Sequence, residues 1–80
     1  MWYVYFLRSQ KNSSKTYIGI TDDVASRLNK HNDSGTKYAA THRPWELVAY
    51  IAVPGKRRAA ELERYFKVGS GHAWAHKHLW

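Results

Sequence analysis

The sequence predicts an α/β chain of the α+β kind: a small three-stranded antiparallel sheet flanked by helices, in the order β-β-α-β-α-α. Three observations lead there. Eighty residues, 44% hydrophobic and 24% charged, fit one globular domain (residues 1–80) and leave no room for a second. Three apolar runs rich in β-branched and aromatic side chains are bounded by turn-forming residues, as strands are. The segments after the second and third runs place apolar residues at helical spacing, the first of them behind a capping signal.

WYVYFL (residues 2–7) reads as a strand buried on both faces. SQKNSSK (9–15) turns the chain, and TYIGI (16–20) returns it as the second arm of a hairpin. Tyr5 and Tyr17 share parity, so a hairpin closing symmetrically about Lys11 sets them opposite each other on one face. TDDVASRLNKH (21–31) opens a helix that Thr21, Asp22 or Asp23 can cap, the aspartates complementing the dipole of the first turn. Val24, Leu28 and Ala25 supply its apolar stripe, while Arg27 and His31, at i and i+4, are neighbours. NDSGTKYAATHRPW is a long polar loop, and WELVAYIAV (45–53) is the third strand, ended by Pro54 and Gly55. KRRAAELERYFKV (56–68) is a second helix with Leu62 and Phe66 packing inward and Gly69 stopping it. GSGHAWAHKHLW then turns through Gly69, Ser70 and Gly71 into a short closing helix.

A net charge of +7, from 13 Lys+Arg against 6 Asp+Glu, favours a polyanionic partner, usually nucleic acid. The aspartates Asp22, Asp23 and Asp33 flank one helix, whereas residues 56–67 set Lys56, Arg57, Arg58, Arg64 and Lys67 against two glutamates. With no cysteine, a disulfide framework, a cysteine-based zinc ribbon and a thiol nucleophile are excluded, which suits the cytoplasm. The run WYVYFL is too short for a signal-peptide core or a membrane span, so no membrane association is expected.

Tyr3-Val4-Tyr5, then Tyr17-Ile18-Gly19, then Arg27 and His31, then a glutamate on a later helix, form a specific pattern. It resembles the GIY-YIG nuclease superfamily. That superfamily includes the incision nuclease of nucleotide excision repair, intron homing endonucleases and many short stand-alone bacterial proteins. LERYFKVGSGHAWAHKHL is similar to the tail of the stand-alone group. Two departures stand out. Tyr3 occupies the position of the motif's first glycine, and no asparagine follows Asn32, although many members carry one near the end of the domain.

The resemblance implies a metal-dependent endonuclease that cleaves DNA phosphodiester bonds, RNA not being excluded, and connects the chain to DNA repair. One Mg²⁺ or Mn²⁺ ion is held chiefly by a glutamate, a tyrosine deprotonates water, and the arginine binds phosphate. Tyr5 and Tyr17 are both candidate bases. An ordinary phenol near pKa 10 is ionised in about one molecule in a thousand at pH 7, roughly 4 kcal/mol uphill; a metal ion and a neighbouring cation reduce that cost. The choice leans to Tyr17, because Gly19 lets substrate approach its strand closely. Arg27 offers a planar fork for phosphate oxygens, and His31 serves as a proton shuttle, a phosphate ligand or a plain surface residue. Helical phase leaves Glu61 and Glu63 unseparated as metal ligands; the family's spacing selects Glu63, and a lone carboxylate suits Mg²⁺.

Lys37, Arg43, Lys56, Arg57, Arg58 and Lys67 are the candidate nucleic-acid contacts. His72, His76 and His78 lack a nearby carboxylate or cysteine and read poorly as a zinc site. Trp74 and Trp80 are expected in the core or a lid. A non-catalytic basic nucleic-acid-binding module of the same fold is the first alternative, and a domain that contacts protein partners the second.

Overall fold

The computed structural model describes residues 1–33 and 36–80. Strands β1 (Trp2–Ser9), β2 (Thr16–Thr21) and β3 (Trp45–Val53) form one antiparallel sheet in the order β2-β1-β3. Helices α1 (Val24–Asp33) and α2 (Lys37–His42) lie between β2 and β3 in the chain; α3 (Lys56–Lys67) and α4 (Gly69–His78) follow β3. No described helix is long and apolar enough to cross a membrane.

Central β1 is buried on both faces, as its apolar run requires. Val4 and Phe6 point to one side and Tyr5 and Leu7 to the other, none more than 2% exposed. On the first side Val4, Phe6 and Ile18 pack against Ala59 and Phe66 of α3 and Ala75 of α4. The rings of Phe66 and Trp80 meet Phe6 edge-on, at 5.3 and 5.7 Å. On the second side Tyr5, Leu7 and Trp45 cluster with Tyr17 of β2 and Leu28 of α1. The sheet is therefore the middle layer of three.

The hairpin does not close about Lys11. Tyr5 pairs with Gly19, and Tyr17 pairs with Leu7, so the pivot is Asn12. The cause is local. Ser9 Oγ accepts from the amides of Lys11 and Asn12, at 3.1 and 3.0 Å. Lys15 N donates to Asn12 O, and Ser9 N to Lys15 O, both at 2.9 Å. These bonds move the register by two residues, which preserves parity and keeps both tyrosines on one face, but on a diagonal.

Asp23 caps α1, its Oδ1 accepting from Ser26 N at 3.0 Å. Val24 and Leu28 face inward as expected, yet Ala25 is exposed; the third inward position belongs to His31, at i+7 from Val24. The segment read as a polar loop contains α2, a short helix capped by Thr36 Oγ1, which accepts from Ala39 N at 3.2 Å. Its pattern was weak because the helix buries only Ala39. Positions 34 and 35 of that expected loop lie outside the described residues.

Extended Val68 and then Gly69, with φ of 60°, make the break between α3 and α4, and α4 starts at Gly69 without the wider turn expected from Gly69, Ser70 and Gly71. Gly71 serves a different purpose: a Cβ there would run into the carbonyl oxygen of Tyr65. Trp80 is half-buried over the core, but Trp74 is 46% exposed and belongs to no core cluster. Gly71→Ala should force α3 and α4 apart and lower stability by about 1–3 kcal/mol, as overpacking a tight contact does. Urea denaturation followed by tryptophan fluorescence reads this directly, and a change under about 0.5 kcal/mol would contradict the packing described.

Candidate active site

The hairpin register decides how the aromatic site is built. Because Tyr5 lies opposite Gly19, its phenol crosses the space where a side chain would stand. A Cβ at position 19 would come within 2.5 Å of Tyr5 Oη, 2.7 Å of Tyr5 Cζ and 3.0 Å of Tyr17 Cε1. The gap left by Gly19 thus holds the Tyr5 ring, and the expectation that it admits substrate is corrected. The Tyr5 and Tyr17 rings stack at 6.1 Å with 27° between planes. His31, carried in from α1, lies 4.6 Å from the Tyr17 ring and 6.0 Å from the Tyr5 ring. Tyr5 Oη and His31 Nε2 are 3.1 Å apart.

Burial fixes the protonation states. Tyr5 is 2% exposed and His31 8%. Burial pushes the Tyr5 phenol well above the ordinary tyrosine range; Tyr17 adds to the rise, Arg27 opposes it, and Glu63 adds a smaller push. Burial, then the charge of Arg27, holds the His31 imidazole below the ordinary histidine value of 6.5. Between a neutral imidazole and an un-ionised phenol, one proton is shared along the Tyr5 Oη–His31 Nε2 contact, and the tautomer of His31 sets which of the two donates.

Arg27 and Glu63 reach this centre from different layers. Arg27 is exposed on α1 and bears on both Tyr5 and His31. Glu63 comes from α3, across the sheet, its side chain 27% exposed and paired to Lys67 Nζ at 2.9 Å. Glu61 stands apart: 54% exposed, it pairs with Arg58 Nε at 3.5 Å on the solvent side of the same helix. Tyr17 meets α3 and α4 at the outer edge of β2, where a cleft of about 210 Å³ is lined by Tyr17, Thr16, Lys67, His72 and Trp80.

The six basic candidates do not form one patch. Lys56, Arg57 and Arg58 occupy the first turn of α3, with the Lys56 ammonium 5.2 Å over the Trp2 ring. Lys67 is at the other end of that helix, about 16 Å away at 1.5 Å per residue. Lys37 and Arg43 lie around α2, on the opposite face of the sheet. Arg43 Nη1 is spent on α1, donating to the carbonyls of Asn32 and Asp33 at 3.3 and 3.2 Å. Among the described residues no group of three or more His, Cys, Asp or Glu could hold a metal ion. His72 and His76 stack at 5.8 Å, whereas His78 lies against Trp74.

Two supporting residues were not anticipated. Trp45, 3% exposed, sets its ring 6.4 Å from both Tyr17 and His31. Asn32 clamps it, Oδ1 accepting from Trp45 N at 2.6 Å and Nδ2 donating to Trp45 O at 3.2 Å. An asparagine and a tryptophan thirteen positions apart carry no local signal; only the fold joins them.

Residues 1–73 match the family model described as the GIY-YIG catalytic domain. The chain is 38% identical over 66 residues to the UPF0213 protein YazA of Bacillus subtilis, covering 81% of this chain and 65% of that one. It is 36% identical over 63 residues to the UPF0213 protein Reut_B5558 of Cupriavidus pinatubonensis, covering 78% and 68%. With the structure-specific endonuclease subunit slx1 of Talaromyces stipitatus it shares 39% identity over 80 residues, which is 92% of this chain and 18% of the fungal protein.

The buried His31 makes folding sensitive to acid. Its folded-state pKa lies below the unfolded one, so the unfolded chain binds more protons as pH falls. The contribution is fully present above about pH 6.5 and is lost as pH drops towards the folded value. His31→Gln, neutral throughout, should flatten this part of the Tm-versus-pH curve between about pH 7 and about pH 5. Identical slopes for the two proteins would remove His31 as its source.

Proposed function

The chain belongs to the GIY-YIG family, and from that premise we propose that it is a metal-dependent endonuclease cleaving DNA phosphodiester bonds. One observation carries the proposal: Tyr5 and Tyr17 stack 6.1 Å apart with His31 against both rings, and Arg27 from α1 and Glu63 from α3 lie near enough to act on the charge of Tyr5. A base, a phosphate-binding cation and a carboxylate arriving from three elements form a set that hydrolysis can use. A structural cluster has no need of it. The fungal relative is a structure-specific endonuclease subunit, which supports a substrate distinguished by its structure as the one to try first.

Hydrolysis requires a deprotonated water, neutralisation of the charge growing on phosphate, and a stabilised leaving oxygen. Tyr17 is the base. It lines the open cleft, whereas Tyr5 is buried and held un-ionised against His31. Tyr5 and His31 are positioning residues: their hydrogen bond fixes the ring on which Tyr17 stacks. Arg27 binds the phosphate with its planar fork, a geometry lysine lacks.

Glu63 is the residue that would hold a divalent ion. It offers a half-buried carboxylate paired with Lys67, which lines the cleft, with no cluster of further acidic or imidazole ligands among the described residues. That donor set fits Mg²⁺ or Mn²⁺, which keep several waters and accept phosphate oxygens, and does not fit zinc. When bound, the ion supplies positive charge against the phosphate and the leaving oxygen. Lys67, the exposed partner of Glu63, would have to give up this pair for Glu63 to hold the ion, and its ammonium could then meet the substrate.

Incubating the purified chain with branched, single-stranded and duplex DNA, with Mg²⁺ or in chelator, tests the reading. Cutting should depend on the metal; binding without any cutting would favour a nucleic-acid clamp. Glu63→Gln should bind DNA in chelator as well as wild type or better, since one repulsive carboxylate is gone, yet fail to cut. Glu61→Gln should alter cutting only mildly, and the reverse pattern would defeat the assignment. Arg27→Lys keeps the charge and loses the fork, so cutting should fall by roughly 10² with folding unchanged.

A further inference from the structure

The cleft at Tyr17 does not end there. A second cleft, of about 440 Å³, continues from it and shares Thr16, His72 and Trp80 with the first. It runs past His76 to Arg8 and to Ser13 and Ser14 at the tip of the β1–β2 hairpin. Neither lining includes an aspartate or glutamate; the polar groups there are donors or can donate. The His72 and His76 rings are exposed and nearly parallel, 17° between planes, so both present edges to the same groove. Trp80 forms part of the wall of both clefts, held edge-on against Phe6.

We propose that this continuous groove seats an unpaired strand of the nucleic-acid substrate, with phosphate on His72, His76 and Arg8 and a base against Trp80. The inference rests on reading the Tyr17–Glu63 site as a nuclease and adds which form of substrate it takes. Three features favour this occupant. The groove begins at Tyr17, the proposed base, and at Lys67, the partner of Glu63, so a strand cut there can continue along it. Its lining combines donors with an aromatic ring, the combination that binds single strands: donors follow the backbone, and the ring takes a base face whatever the base. Its two segments, about 210 and 440 Å³, share Thr16, His72 and Trp80 and so form one narrow continuous path. Arg8 engages Glu46 through Nε at 3.5 Å, and a guanidinium carries further donors for a phosphate.

The site lies apart from the basic residues at the start of α3 and around α2, so the two contributions can be separated. Fluorescence anisotropy in chelator should compare a blunt duplex with the same duplex carrying an unpaired arm, on either strand. Wild type should prefer the armed substrate. The double variant His72→Ala/His76→Ala should lose about tenfold in affinity for the armed substrate, with a loss several-fold smaller on the blunt one. His78→Ala, on the same helix but against Trp74, is the control and should keep the preference. Abasic nucleotides in the arm test the Trp80 contact on the unaltered protein and should weaken binding about tenfold.

Equal losses on both substrates would reduce the histidines to general surface charge and overturn the proposal, as would an abasic arm that binds like a normal one. So would an acidic peptide that competes as well as a free single strand, since the groove would then be a protein-docking surface. If wild type cuts DNA in Mg²⁺ but shows no preference for an arm, this inference fails while the nuclease reading stands. If it neither binds nor cuts any DNA, both fall.

Discussion

Tyr5 reaches across the position where Gly19 lacks a side chain and ends on the imidazole that α1 turns inward, and most of the site follows from that contact. It ties β1, β2 and α1 together at one point. Any β-carbon at position 19 would displace the phenol, and any change in the hairpin pivot would set a different residue opposite it. Once Tyr5 is fixed, the Tyr17 ring has a stacking partner, and α1 is rotated so that His31 faces the sheet. Arg27, four residues earlier on the helix, is thereby held at the rim with its charge towards both groups. The hydrogen bond is modest in energy, roughly 1 kcal/mol for a typical pair. Its importance is geometric, since each partner is a buried polar group that would otherwise lack one.

The second constraint is layering. Tyr5, Tyr17, His31 and Arg27 belong to the face of the sheet covered by α1 and α2, whereas Glu63 and Lys67 belong to the helix on the other face. The two groups meet because β2 is an edge strand, so side chains from α3 can come round it. The close approach of α4 to α3 at Gly71 then sets the far wall of the same edge. A chain of this length buries a limited share of its surface, and its aromatic rings join sheet to helix on both faces.

How much of this could be read from the chain alone varies with the kind of signal. The apolar run of WYVYFL, the cap of α1 and the stripes of α1 and α3 are local, and the architecture follows from them. The α2 helix was hidden because six residues burying one alanine leave almost no period to detect. The hairpin register was misplaced by two residues because it depends on the hydroxyl of Ser9 bonding the turn, which looks in sequence like any polar loop residue. That slip had consequences for chemistry: it reassigned the Gly19 gap from substrate to Tyr5. The ambiguity between Glu61 and Glu63 was also one of geometry. Both flank Leu62 in the helical projection, and only the edge of β2 gives them different neighbours.

Net charge is the feature whose sequence-level meaning changes most. A formal +7 suggests a broad cationic surface, yet many of the cations are already engaged. Arg43 holds the carbonyls at the end of α1, Lys56 lies over Trp2, and Arg8, Arg58 and Lys67 pair with Glu46, Glu61 and Glu63. Exposed ion pairs of this kind are worth only about 0–1 kcal/mol, so a phosphate can take the cation from its carboxylate at little cost. Two of the paired cations, Lys67 and Arg8, line the groove. If Lys67 turned to a bound phosphate, Glu63 would be left without its partner and could hold a divalent ion. The Arg8–Glu46 pair stands at the far end of the same groove. Partial pairing in the free protein therefore holds the site's charges in place without making them unavailable.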